Sequence, residues 1–311
     1  MLTVFLPLVI VRWIQFASVF VLFGSSFFWL YMGNERFAAG PGGLPRTLHA
    51  TVILLRIAAP IAALSAVAWI ACLLINMTGD VHSITDSEDL RLFFFETPFG
   101  TVSFLRLTLL AAAIVIVSLP WHNRAWFFAL LIIGAILLIT QAWFGHSADS
   151  RGLYRAIMIM VYGIHTLAAA AWVGGLPPLL LALIEQRRSS SLEARESALD
   201  ILARFSLMAM TAVSLLVASG AANAIFRVNG SIGKLFDSAY GDMLFKKLVL
   251  VAAMLAFACV NRFILMPKLR TASLKGMVPI VWLRNSVTLE LVIGILVLGA
   301  SATLGITMPP Q

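Results

Sequence analysis

The side chains able to hold a soft metal ion are few, and their spacing places them one after another along the chain. There are five histidines, His49, His82, His122, His146 and His165. Neutral imidazole is a frequent transition-metal ligand and also ligates haem iron. His82 and His122 fall in loops and His49 near the start of a span, positions that suit surface or interface roles. His146 closes an apolar run in Gln141-Ala142-Trp143-Phe144-Gly145-His146-Ser147-Ala148, whereas His165 lies well inside the next one. Helical steps of three, four and seven put Met158, Tyr162, His165, Ala169 and Trp172 on one face. A thioether and an imidazole on one stripe suit Cu(I). Methionine is equally ordinary core filler, and a buried, hydrogen-bonded histidine is an equal reading of His165. The rise from His146 to His165 is on the order of 15 Å, so the two read as successive sites. Cys72 and Cys259 sit in separate apolar runs without CxxC or Cys/His spacing and read as small buried hydrophobes.

The elements that carry these residues are membrane helices. The chain has 311 residues, 61% hydrophobic and 12% charged, too few charges to clothe a soluble domain. Apolar stretches run approximately over 3–32, 48–77, 99–119, 125–144, 154–184, 202–226, 242–266 and 285–307, each long enough to cross a hydrocarbon core. The fold expected is an all-α, polytopic bundle of about eight transmembrane helices, one domain over residues 1–311. The first stretch reads as a retained span and not as a cleaved signal peptide. The basic residues behind the net charge of +8 are scattered over short loops, which argues against nucleic acid as a partner. Alternate loops carry 11 and 7 Lys/Arg, and the excess marks the cytoplasmic side, so both termini are expected to face outward. Val81 to Glu96 then reads as an external segment along the membrane surface.

Five charged side chains remain within spans or at their edges: Arg12, Arg56, Arg106, Arg262 and Glu290. Each is expensive in lipid and is expected to face the bundle interior, a wet cavity or the interface. Arg56 and Glu290 lie at matching depths, about 9 to 14 Å from the cytoplasmic end. They are expected to approach each other, as a structural ion pair or with Glu290 coupling to protons or ions. Ser286, Gly294, Ser301 and Gly305 share the Glu290 face and mark close helix packing. Ala168 to Ala171 with Trp172-Val173-Gly174-Gly175 likewise admits another backbone.

Taken together, these residues resemble the copper resistance protein D family (CopD or PcoD), most strongly over 141–311. The resemblance rests on Gly145-His146-Ser147-Ala148, His165 with Trp172-Val173-Gly174-Gly175-Leu176, Arg204-Phe205-Ser206, Ser219-Gly220 with Asn223, Tyr240-Gly241 with Leu244 and Lys247, Asn261-Arg262 with Pro267, Arg284-Asn285-Ser286-Val287 with Glu290, and Pro309-Pro310. It implies about eight spans in a bacterial inner membrane, a periplasmic copper-binding partner of the CopC kind, and copper movement without enzymatic turnover. It makes His146 and His165 candidate copper positions, with Met158 on the same stripe and Trp172, Gly174 and Gly175 as packing beside them. Asn223, Lys247 and Asn261 match family positions without an assigned role.

Three readings follow: a copper transporter, import preferred; a membrane redox protein binding haem b through intramembrane histidines; and a scaffold for a periplasmic copper chaperone. No nucleophile with an adjacent base and no phosphate-binding glycine loop is visible, so neither catalysis nor ATP coupling within this chain is expected.

Overall fold

Capping chemistry and glycine set where the helices begin and end. The computed structural model describes residues 2–37, 43–144, 152–187, 192–228, 238–271 and 278–307. α1 (Leu2–Tyr31) is followed by α2 (Pro45–Thr78), which begins with proline, where the missing N–H costs no helical bond. It stops at Gly79, whose φ of 76° is the left-handed conformation that closes helices. Asp86 caps α3 (Ser87–Glu96) by accepting from the N–H groups of Glu88 and Asp89. Thr97 caps α4 (Pro98–Ser118) and Asn123 caps α5 (Arg124–Ile139) in the same way.

α6 (Gly152–Val173) and α7 (Leu176–Arg187) make a single apolar crossing that breaks at Gly174-Gly175. Pro177 and Pro178 stand in the first turn of α7, so a new helix starts there more readily than the old one continues. After α8 (Leu192–Val228) comes α9 (Ala239–Val260), which runs through a π-helical turn, Asn261–Leu265, into α10 (Met266–Thr271). Pro267 cannot donate to the preceding turn and its ring crowds the carbonyl four residues back. The chain answers with a wider turn, in which the Met266 N–H bonds to the Asn261 carbonyl. α11 (Val278–Leu304) closes the bundle.

Eight helical segments among the described residues are long and apolar enough to span a membrane, as expected. Every regular element among those residues is helical. An even number of crossings returns the chain to the face on which it began, here named the terminal face. α6 and α7 form the most buried crossing, while α8 and α9 leave most of their apolar surface outward. α1 packs on α2, α5, α6, α7 and α11 and is the hub of the bundle. At the face opposite the termini, Trp29 stacks on Phe127 with centroids 5.7 Å apart, and Arg36 donates to Asp200 at 2.5 Å and to Ser197 at 2.6 Å. The surface segment at 81–96 is more ordered than a loop. It forms a 3-10 turn (Val81–Ile84) and then α3, whose Phe93 is buried against Ile70 and Leu74 of α2.

Candidate functional site

The site is built around the C-terminal end of α6, which glycine holds between α1 and α11. A methyl group on Gly174 would lie 1.9 Å from the Phe20 carbonyl oxygen, and one on Gly24 would lie 2.2 Å from that of Ala170. Backbone therefore touches backbone between α1 and α6, and the Ser25 hydroxyl donates to the Gly174 carbonyl across the contact at 3.1 Å. On the other side, a methyl group on Gly294 of α11 would sit 2.9 Å from Cγ1 of Val173. In a bilayer such close approach is a principal source of helix association, because lipid removes the hydrophobic drive. Gly174 and Gly294 thus stand at close helix contacts.

His165 faces α8. Its Nδ1 lies 3.1 Å from the Ser219 hydroxyl oxygen, and Gly220 leaves room for the ring, since a methyl group there would lie 3.5 Å from Cε1. Ser219 donates its only hydrogen to the Leu215 carbonyl, so toward His165 it accepts. Nδ1 must then carry the imidazole proton, and the lone pair is directed to Nε2. A histidine locked in this tautomer presents its other nitrogen as a ligand or proton acceptor. Met158 shares the face and is buried, but a seven-residue step is a rise of about 10 Å, too far for both to ligate one ion.

A further seven residues along α6, about 10 Å on, Trp172 stands close to the buried carboxyl of Glu290, which is 3% exposed, without a hydrogen bond of regular geometry to it. Asn261, at the start of the π turn, donates its side-chain amide to Glu290 Oε1. Three buried polar atoms remain without hydrogen-bond partners here: Asn261 Oδ1, Ser286 Oγ and Trp172 Nε1. Ser286 lies one turn before Glu290 on the same helix face. Glu290, Asn261 and Ser286 together form a set of hard oxygen donors, suited to protons or hard cations more than to Cu(I). Arg262, next to Asn261, points away to donate to Ser206 of α8.

Arg56 and Glu290 are not brought together, which corrects the expected pair. Arg56 donates to the Val117 carbonyl at 2.9 Å and meets His122 Nε2 at 3.4 Å. It thus reaches toward the face opposite the termini along α4, with α1 and α7 between it and α11. Asn223 is half-buried one turn beyond Ser219, and Lys247 is half-buried on α9. His146 lies outside the described residues. Among the described residues no group of three His, Cys, Asp or Glu converges.

In the α4–α5 connection, burial first, then the nearby Arg56 cation and to a lesser degree the neighbouring His49, hold the His122 pKa below its ordinary value. Arg56→Gln is expected to raise the His122 titration midpoint part of the way back, because burial remains. Histidine-labelled NMR would read it, and an unmoved midpoint would remove Arg56 as a cause.

The fold and the site define a multi-pass helical membrane protein with an imidazole on an interrupted helix and, at another depth beside that helix, a buried carboxyl of α11. The chain belongs to the copper resistance protein D family. Residues 1–157 match the family model for the copper resistance protein D-like N-terminal domain, and residues 199–304 match that for copper resistance protein D. It is 28% identical over 308 residues to copper resistance protein D of Pseudomonas syringae pv. tomato, covering 97% of this chain and 96% of that protein. It is 28% identical over 291 residues to inner membrane protein YebZ of Escherichia coli (strain K12), covering 92% and 93%. It is also 28% identical over 212 residues to copper transport protein CutJ of Bacillus subtilis (strain 168), covering 67% of this chain and 38% of that protein. No solved structure matches the chain.

Proposed function

We propose that this protein is a permease that carries copper across a bacterial inner membrane, inward by preference, with both termini on the periplasmic side. The observation that carries the reading is the series along α6: His165 with its tautomer set by Ser219, then Trp172 against Glu290 with Asn261. Sparse ligands at successive depths suit an ion that must bind and leave, whereas a closed cage would hold it. The names of the relatives, copper resistance protein D, inner membrane protein YebZ and copper transport protein CutJ, support the cargo and the membrane. In this reading His146 receives copper from a separate CopC-like periplasmic protein, His165 takes it deeper, and Glu290 exchanges a proton as the cation passes. No covalent turnover is involved, and the chain acts as a carrier and not as an enzyme.

Copper accumulation in cells, read by elemental mass spectrometry, tests this. His165→Ala should lower uptake by about tenfold, the loss of a single ligand bond of about 1.4 kcal/mol in the pathway. Ser219→Ala should give a smaller loss, since it frees the tautomer but keeps the imidazole. Wild-type uptake in a folded His165→Ala variant would rule out the pathway. Oxidised and dithionite-reduced absorption spectra of the same preparations separate permeation from haem redox chemistry, which would give an intense band that shifts on reduction.

A further inference from the structure

The carboxyl of Glu290 lies buried in the bundle with no basic side chain against it. It is 3% exposed, and its polar neighbours among the described residues are neutral, the amide of Asn261 and the indole of Trp172. The arginines nearest in sequence are engaged elsewhere. Arg262 donates to Ser206 of α8, and Arg284, in the first half of α11, donates to Asn285 Oδ1 at 2.8 Å. A carboxylate held away from water in this way needs a compensating positive charge, either a proton or a metal cation.

Two further oxygens belong to the same neighbourhood and lack hydrogen-bond partners. Ser286 is 8% exposed, and its hydroxyl makes no bond although it stands one turn before Glu290 on the same face of α11. Other hydroxyls inside these helices behave differently: those of Ser219, Thr288, Ser301 and Thr303 each donate to the carbonyl four residues back. Asn261 donates its NH2 to Glu290 Oε1 and leaves its own Oδ1 buried without a donor. Unmade hydrogen bonds at such burial are costly. A proton on Glu290 would answer one of these oxygens, whereas a cation among them would draw on all three side chains at once.

The donor set fixes the kind of ion. Carboxylate, amide carbonyl and hydroxyl oxygens are hard ligands, without the sulfur or imidazole that suits Cu(I). A single carboxylate in a low-dielectric region balances a single positive charge, which favours a monovalent ion over calcium or magnesium. Space favours a small one. A methyl group on Gly294, one turn beyond Glu290, would lie 2.9 Å from Cγ1 of Val173 and 3.7 Å from Cε of Met254, so α6, α9 and α11 pack closely beside the carboxyl.

We propose that Glu290, Asn261 and Ser286 bind a sodium ion that fastens the π turn to α11. Bound there, sodium takes the place of the proton on Glu290 and keeps the carboxylate charged. Sodium binding stands on these oxygens; only its use in driving copper movement rests on the permease reading.

Equilibrium binding of radiolabelled sodium to the full-length protein in lipid nanodiscs tests the site, without copper, at constant pH and ionic strength, and with choline as the replacing cation. Saturable binding of one ion per chain is expected, about tenfold weaker in Ser286→Ala and lost in Glu290→Gln. Thermal melts should shift upward with sodium, less with potassium and not with choline. Absence of saturable binding to folded wild type would overturn the proposal and leave a proton and water as the occupants. So would binding that neither variant weakens. Should Glu290→Gln prevent folding, Ser286→Ala, which removes one oxygen and no charge, decides by itself. Copper uptake into proteoliposomes with and without a sodium gradient tests the permease reading separately: saturable sodium binding with uptake indifferent to the gradient would keep the site and remove it from copper movement.

Discussion

Gly174→Ala is expected to prevent stable assembly of the bundle. The added methyl group would lie 1.9 Å from the Phe20 carbonyl oxygen and 2.7 Å from its carbon. Those atoms are backbone, so no side chain can rotate aside. Either α1 moves away from α6 along its length, or the break between α6 and α7 reorganises, and both separate the Trp172–Glu290 neighbourhood from the hub helix. Overpacking of this kind costs on the order of 3 kcal/mol, a large share of a domain's stability. Gly163 supplies the contrast. A methyl group there meets only side-chain carbons of Ile139, at 3.4 and 3.9 Å, and Gly163→Ala should melt close to wild type. Thermal unfolding in detergent, with size-exclusion profiles, compares the two. A Gly174→Ala protein as stable as Gly163→Ala would mean that α1 and α6 do not meet backbone to backbone.

That contact was legible in the amino-acid sequence, because small residues clustered around Gly174-Gly175 have little reason to recur except close packing. The spans were legible for a similar reason, since apolar length needs no knowledge of neighbours. The break between α6 and α7 was not read, because hydropathy passes smoothly through two glycines and two prolines. Arg56 and Glu290 fail instructively. Counting residues from a span end gives a depth, but nothing in the count gives direction around the bundle. α1 and α7 stand between the two helices, and Arg56 satisfies itself on Val117. The true partner, Asn261, lies at the start of the π turn that follows α9. The apolar pattern also begins the last span at 285, whereas α11 begins at Val278, which displaced Glu290 toward the surface.

Glu290→Gln is expected to uncouple copper movement from protons while leaving the fold intact. Glutamine has the same shape and keeps a carbonyl oxygen where Asn261 donates, so α9 and α11 should remain joined. What it loses is the capacity to bind and release a proton beside the proposed copper path. In proteoliposomes with an imposed pH gradient, wild-type copper uptake should respond to the direction of the gradient. Glu290→Gln should be slower by at least about tenfold, a barrier change of about 1.4 kcal/mol, and indifferent to the gradient. Asn261→Leu separates structure from coupling. It leaves a buried carboxyl without its donor and should lower stability by about 1–3 kcal/mol, while uptake by the fraction that stays folded still responds to pH. If Glu290→Gln transports at the wild-type rate and follows the gradient, Glu290 is a packing group held by Asn261 and the proton must move elsewhere. If instead both variants unfold, the oxygen cluster around the π turn is chiefly structural, and the intermediate Glu290→Asp, which retains an ionisable group at shorter reach, decides whether proton exchange survives in a folded protein.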